Sequence, residues 1–181
     1  MNRMPVTIPD EIADINGLRF VIVAPFKKAP FEKGWQDYAN YSVGDSKLQK
    51  YLKEGYNYGI LCGIRSGDSY PFVIDADDQI IVNRVREKLP ETVSWKTQTQ
   101  GHMAFLYMSK DEIKTRPLYN LNIKQTKGFL NIGHIRGRGS IEVGPGSVGE
   151  NGRYDLDGRG PVSKVEEATI VNVFSEFFSG R

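Results

Sequence analysis

Short apolar runs, each closed by glycine, proline or acid, limit what this chain can fold into. The run Phe20-Val-Ile-Val-Ala-Pro25 reads as a buried strand. Residues 58–61, 72–74, 93–97, 103–108, 129–135 and 141–143 have the same character and length. The polar stretch 63–68 lies between two of them and lets those strands pair as a hairpin. Helical spacing is rarer. Residues 46–53 place Leu48, Tyr51 and Leu52 on one side, and Gly55 closes the helix. Residues 79–89 form a second helix, capped by Asp78 and stopped by Pro90. At the C-terminus, Ile170, Val173, Phe174, Phe177 and Phe178 form an apolar helical face, and Ser163-x-x-Glu166 has the form of a capping box ahead of it. Strands come in pairs and helices are few, so the class is α+β rather than an alternating doubly wound sheet.

The length of 181 residues suits one domain, spanning 1–181. No apolar run approaches the ~20 residues that cross a bilayer. The N-terminus lacks the pattern of a secretory signal, and the single Cys62 has no partner for a disulfide. A cytoplasmic, reducing setting fits. The net charge of +2 is too small to indicate nucleic-acid binding, so any such binding needs a local basic surface.

The chemistry-bearing segment is Phe72-Val-Ile-Asp-Ala-Asp77, an apolar strand ending in two acids. Side chains alternate along a strand, so Asp75 and Asp77 face the same way, roughly 7 Å apart at the backbone. Paired carboxylates suit a hard divalent cation that also contacts substrate phosphates. Taken alone, an Asp-x-Asp is more often a solvated strand end. A second segment, Gln100-Gly-His-Met-Ala-Phe-Leu-Tyr107, places His102 just before a strand, where it could reach a phosphate or a 3′ hydroxyl. The third, residues 133–147, is glycine-rich and carries His134, Arg136, Arg138 and Glu142. Its glycines permit close approach of the backbone to a ligand, and its arginines offer planar forks of donors for phosphate. It reads equally as a hairpin turn with solvated arginines.

In order along the chain, these segments resemble the archaeal–eukaryotic primase superfamily. They are most similar to the primase-polymerase domain at the N-terminus of plasmid and phage replication proteins. The resemblance runs through Lys28-x-Pro30, Gly34-Trp35-Gln36, Gly55-Tyr-Asn-Tyr-Gly-Ile60, Val73-Ile-Asp-Ala-Asp77, Leu89-Pro90-x-Thr92, residues 97–107, Gly144-Pro-Gly-Ser147 and Gly152-Arg-Tyr154. It implies an α+β primase-polymerase fold: an RRM-like antiparallel sheet carrying the acids, with an N-terminal α/β lobe beside it and DNA in the cleft between.

The resemblance also implies a template-directed nucleotidyltransferase, a DNA primase and polymerase using two Mg²⁺ or Mn²⁺ ions. Asp75 and Asp77 would hold the metals. His102 would contact the incoming nucleotide, with Arg136 or Arg138 on the triphosphate. The family's third metal-binding acid falls at His134, and Glu142 on the next strand is an alternative source of a carboxylate. An imidazole suits Mn²⁺ better than Mg²⁺. That departure leaves open a non-catalytic module that holds nucleotide or DNA for a replication initiator. The implied partners are template and primer DNA and nucleoside triphosphates. A helicase, as a further domain or a separate protein, is also implied, and the chain is then the N-terminal part of a longer replication protein. Lys27, Lys28, Lys124 and Lys127 are candidates for backbone contacts to DNA.

Overall fold

The computed structural model describes residues 3–179. A short helix α1 (Asp10–Ala13) precedes strand β1 (Phe20–Val23), helix α2 (Ser46–Lys53) and strand β2 (Asn57–Leu61). Then come β3 (Tyr70–Ala76), α3 (Gln79–Lys88), β4 (Ser94–Lys96), β5 (Met103–Ser109), β6 (Arg116–Gln125), β7 (Gly128–Arg136) and β8 (Ile141–Val143). The chain finishes with β9 (Asp155–Gly158), β10 (Ser163–Lys164), α4 (Glu167–Phe174) and a 3₁₀ turn (Ser175–Phe177). The α+β expectation holds: mixed helices and strands, with sheets that are almost wholly antiparallel.

Two sheets form. The smaller has the order β1-β2-β8 and the larger β6-β7-β3-β5-β4-β9. Strand β3 covers the whole of one edge of β5, while β4 reaches only from Met103 to Phe105 on the other. Strand β10 pairs in parallel with Tyr107 and Met108, continuing the edge that β4 leaves.

The alternation of β3 sorts the core. Phe72, Ile74 and Ala76 face the helices, packing with Ile81, Val82 and Val85 of α3 and Ile170 and Phe174 of α4. Val73 faces the smaller sheet, in a cluster with Phe20, Ile22, Tyr58, Ile60, Val143 and Trp95. Trp95 is fully buried, and its indole N–H donates to the Val143 carbonyl at 3.0 Å, tying the two sheets together. A buried indole N–H needs such a partner. Asp75 shares the parity of Val73, so it too points between the sheets.

Two expectations need correction. Strands β2 and β3 do not pair; they belong to different sheets, and the turn between them carries the chain across. Both hydrogen-bonding edges of β2 are taken, one by β1 and the other by β8, leaving none for β3. The capping box does not form. Ser163 is held in β10, where its hydroxyl donates to the Glu91 carbonyl at 2.6 Å, and Glu166 pairs with Lys110 at 3.2 Å instead. Strand β6 is not among the runs read from the sequence; it carries no strong apolar alternation, because most of it is partly or fully exposed at the sheet edge.

The α3 cap does form: the Asp78 carboxylate accepts from the Ile80 amide at 2.8 Å. Asp78→Ala is expected to lower stability by about 1 kcal/mol, read as a shift in the urea midpoint at unchanged slope.

Candidate metal and nucleotide site

The acids stand where β3 runs out, between β5 and β7. Register places Asp75 opposite His134 and Val73 opposite Arg136, so Asp75, His134 and Arg136 share one face. Gly133 makes this approach possible. Its φ is +155°, and a Cβ there would sit 2.4 Å from the Asp75 carbonyl oxygen. A larger residue would push β7 off β3 and carry His134 away from the acid.

Asp75, Asp77 and His134 each offer a ligand atom, and those atoms lie within 4.8 Å of one another, so the group could hold a metal ion. Asp75 is buried, and Asp77 and His134 are half-buried. The fit to a cation is supported by His134 Nδ1, which is buried with no hydrogen-bond partner among the described residues. Asn131 holds the other side of the ring, with its Nδ2 3.3 Å from His134 Nε2 and its Oδ1 accepting from the Gly133 amide at 3.1 Å. His102, at the start of β5, places Nδ1 3.1 Å from Asp77 Oδ1. It therefore touches the acid pair directly.

Arg136 joins the remaining acid to the site. Its Nη2 donates to Asp75 Oδ2 at 2.7 Å, and its Nε lies 3.4 Å from Glu142 Oε2. Glu142 projects from β8 in the smaller sheet, so the arginine spans the gap between the sheets. Glu142 faces this arginine and is not part of the three-residue ligand group. Arg138 turns elsewhere: its guanidinium meets Glu112 at 3.3 Å and is largely exposed.

Burial sets the protonation of the cluster. It raises the Asp75 carboxyl above the usual range, Asp77 adds to this, and Arg136 partly offsets both. Burial, then the Asp75 charge, push Glu142 well above its ordinary value. Burial and Arg136 hold His134 below 6.5, favouring the neutral ring that can ligate a metal. For Arg136, burial opposes the charge, but Asp75 and Glu142 outweigh it and its pKa is raised.

These shifts have a consequence for stability. A carboxyl with a raised folded-state pKa keeps its proton in the folded chain after the unfolded chain has lost it. Stability therefore falls as pH rises from the ordinary glutamate value towards the folded one. Glu142→Gln is expected to raise the melting temperature at pH 8 by a few degrees and to flatten the decline between pH 5 and pH 8. Differential scanning calorimetry across that range checks both.

A cleft of about 320 Å³ opens at the site, lined by Lys28, Trp35, Asp75, Asp77, Thr97 and Arg136 among others, with Glu142 and Tyr154 on the smaller-sheet side. The sequence assigned no site role to Trp35, Thr97 or Tyr154, although all three lie in motifs that carry the resemblance. A slightly larger cleft, about 380 Å³, lies beside α3 on the other face of the larger sheet. Its Asp157 is already paired with Arg86 at 3.5 Å and Lys96 at 3.2 Å, so it offers no free acid cluster. Lys27 pairs with Glu150 at 3.2 Å, and Lys124 and Lys127 are exposed around the β6–β7 turn.

With this geometry in place, the comparison with known families is decisive. The model of the Prim-Pol family, the N-terminal domain of bifunctional DNA primase/polymerases, matches residues 10–168. The chain belongs to the Prim-Pol family. No curated protein and no solved structure matches it. The matched Prim-Pol region contains both sheets, the acid pair, His102, His134 and the cleft. Among the described residues, no helix is long and apolar enough to cross a membrane.

Proposed function

We propose that this Prim-Pol chain is a template-directed nucleotidyltransferase that extends or starts DNA primers from nucleoside triphosphates. The observation that carries this reading is the Asp75–Asp77–His134 cluster at the wall of an open cleft, in a chain of this family. The larger sheet would be the RRM-like element, with the β1-β2-β8 sheet and its helices as the companion lobe and residues 1–181 as one catalytic domain.

Asp75 and Asp77 would hold divalent cations, with His134 as the third ligand. Mg²⁺ or Mn²⁺ bound there would neutralise phosphate charge and favour attack by the primer 3′ hydroxyl on the α-phosphate, with the α–β phosphoanhydride breaking and pyrophosphate leaving. His102 fixes the Asp77 carboxylate and is near enough to meet the nucleotide. Arg136 holds Asp75 and Glu142 in one plane of the cleft and presents its guanidinium towards the triphosphate. Lys28, which also lines the cleft, supplies a second positive charge. Trp35 and Tyr154 limit the width of the space. A helicase, whether a further domain or a separate protein, would supply the opened template.

The test is addition of nucleotides to a labelled primer on a template, with ribonucleotides or deoxynucleotides and with Mg²⁺ or Mn²⁺. Extension in any combination supports the reading, and none in every combination overturns it. A second reading, a binding module without turnover, is favoured by one observation: a histidine stands opposite Asp75 where the family has an acid. Nucleotide binding measured by calorimetry, without extension, would favour it. Gain of extension in His134→Asp would then attribute the loss to that position.

A further inference from the structure

An apolar slot of about 220 Å³ lies apart from the acid cluster, lined by Arg3, Met4, Pro25, Phe26, Gly55, Val148 and Arg153. Phe26 and Met4, both lining it, are exposed at 46% and 71%. The backbone is unusual here. The Lys27 amide donates to the Ala24 carbonyl at 3.0 Å, closing a turn with Pro25 and Phe26 at its centre. Phe26 has φ +63° and is the only non-glycine residue with positive φ among those described. Proline followed by a residue of positive φ is the type II pattern, in which the second position normally carries glycine. A phenylalanine there is strained, and the turn holds its ring out into solvent. Such strain clusters at ligand-binding positions. Phe31, the next exposed aromatic on the same segment, leans on the rings of Tyr51 and Tyr56, but Phe26 has no ring partner.

The charged side chains that line the slot have one sign. Arg3 and Arg153 border it, are exposed, and have no carboxylate partner among the described residues. The slot and the catalytic cleft are also built from the same two chain segments. Pro25 and Phe26 lead into Lys28, Ala29 and Pro30 of the cleft wall, and Arg153 precedes Tyr154 on the other side. An apolar face for a ring, cations on its rim and continuity with the cleft describe a stacking platform for an unpaired base with phosphates alongside.

We propose that this slot binds single-stranded DNA, with a template base stacked on Phe26 and its flanking phosphates on Arg3 and Arg153. The proposal rests on the nucleotidyltransferase reading for the identity of the strand as template, but its test does not depend on catalysis. Binding of the full chain to a fluorescein-labelled oligothymidylate is measured by anisotropy, with neither divalent metal nor nucleotide present. Phe26→Ala is expected to weaken binding about ten-fold, and Phe26→Tyr to retain it. Arg153→Ala is expected to reduce the slope of log affinity against log salt by about 0.7, the share of one phosphate contact on a single strand. Binding to a blunt duplex should change little in Phe26→Ala.

Circular dichroism establishes that each variant is folded. Unchanged oligothymidylate affinity in folded Phe26→Ala overturns the proposal, as does equal loss for single strand and duplex, or no binding by the wild type. Wild-type primer extension together with normal binding by Phe26→Ala sinks the slot alone. Binding that depends on Phe26 without extension under any metal sinks the transferase reading alone.

Discussion

Replacing Asp75 and Asp77 together with alanine is expected to remove nucleotide addition, by about a thousand-fold or more. The size follows from what the pair does. It supplies two of the three side chains that could hold a metal ion, and each acid has a dedicated neighbour: Arg136 on Asp75 and His102 on Asp77. The lone histidine left in the double variant cannot hold a hard cation against water. The fold should survive. Removing the Asp75 carboxyl relieves a buried acid whose charged form burial disfavours, and Arg136 keeps Glu142 as a partner. The measurements are primer extension with Mg²⁺ and with Mn²⁺, a melting curve, and Mn²⁺ binding by electron paramagnetic resonance. Unchanged extension in a variant that has lost Mn²⁺ binding would show that the cluster is not the catalytic centre.

His134→Asp is expected to move metal use towards Mg²⁺, lowering the Mg²⁺ concentration for half-maximal extension on the order of ten-fold. The wild-type site presents two carboxylates and a neutral imidazole, a mixed set better suited to Mn²⁺. A carboxylate at position 134 restores an all-oxygen set in the same register opposite Asp75. The same change adds a like charge to an already crowded cluster. The metal-free variant should therefore melt below the wild type, and Mg²⁺ should raise its melting temperature more than that of the wild type. A metal profile identical to the wild type would mean that residue 134 does not contact the ion.

Much of the local structure was written in the order of residues. The apolar run Phe72–Ile74 marks the centre of β3, which the structure extends to Tyr70 and Ala76, and α3 starts where Asp78 caps it and stops ahead of Pro90. Helix α2 has the expected bounds, and Gly55 follows it in the left-handed conformation. These signals are local, depending on the spacing of a few neighbours. Where two segments competed for the same residue, local signals misled. Ser163 has the sequence of a cap, yet the free edge of β5 claims its backbone. Strands β2 and β3 are adjacent in sequence with a good turn between them, yet β1 and β8 take both edges of β2.

The candidate site divides along the same line. Residue order made the available groups legible: two acids on one face of a strand end, a histidine before the next strand, and a histidine where a third acid would complete the set. Strand parity and motif order carry that information without reference to distance. How those groups stand to one another came from tertiary packing. It set β7 against β3 through Gly133, which brought His134 to Asp75. It turned Arg136 into the cleft and Arg138 out to Glu112, two residues apart on one segment. It also brought Glu142 from the other sheet onto Arg136 rather than onto the acids. Those outcomes depend on sheet pairing between segments some sixty residues apart. No local pattern encodes which face of a distant strand a side chain will meet, because that choice is made by how the two sheets pack.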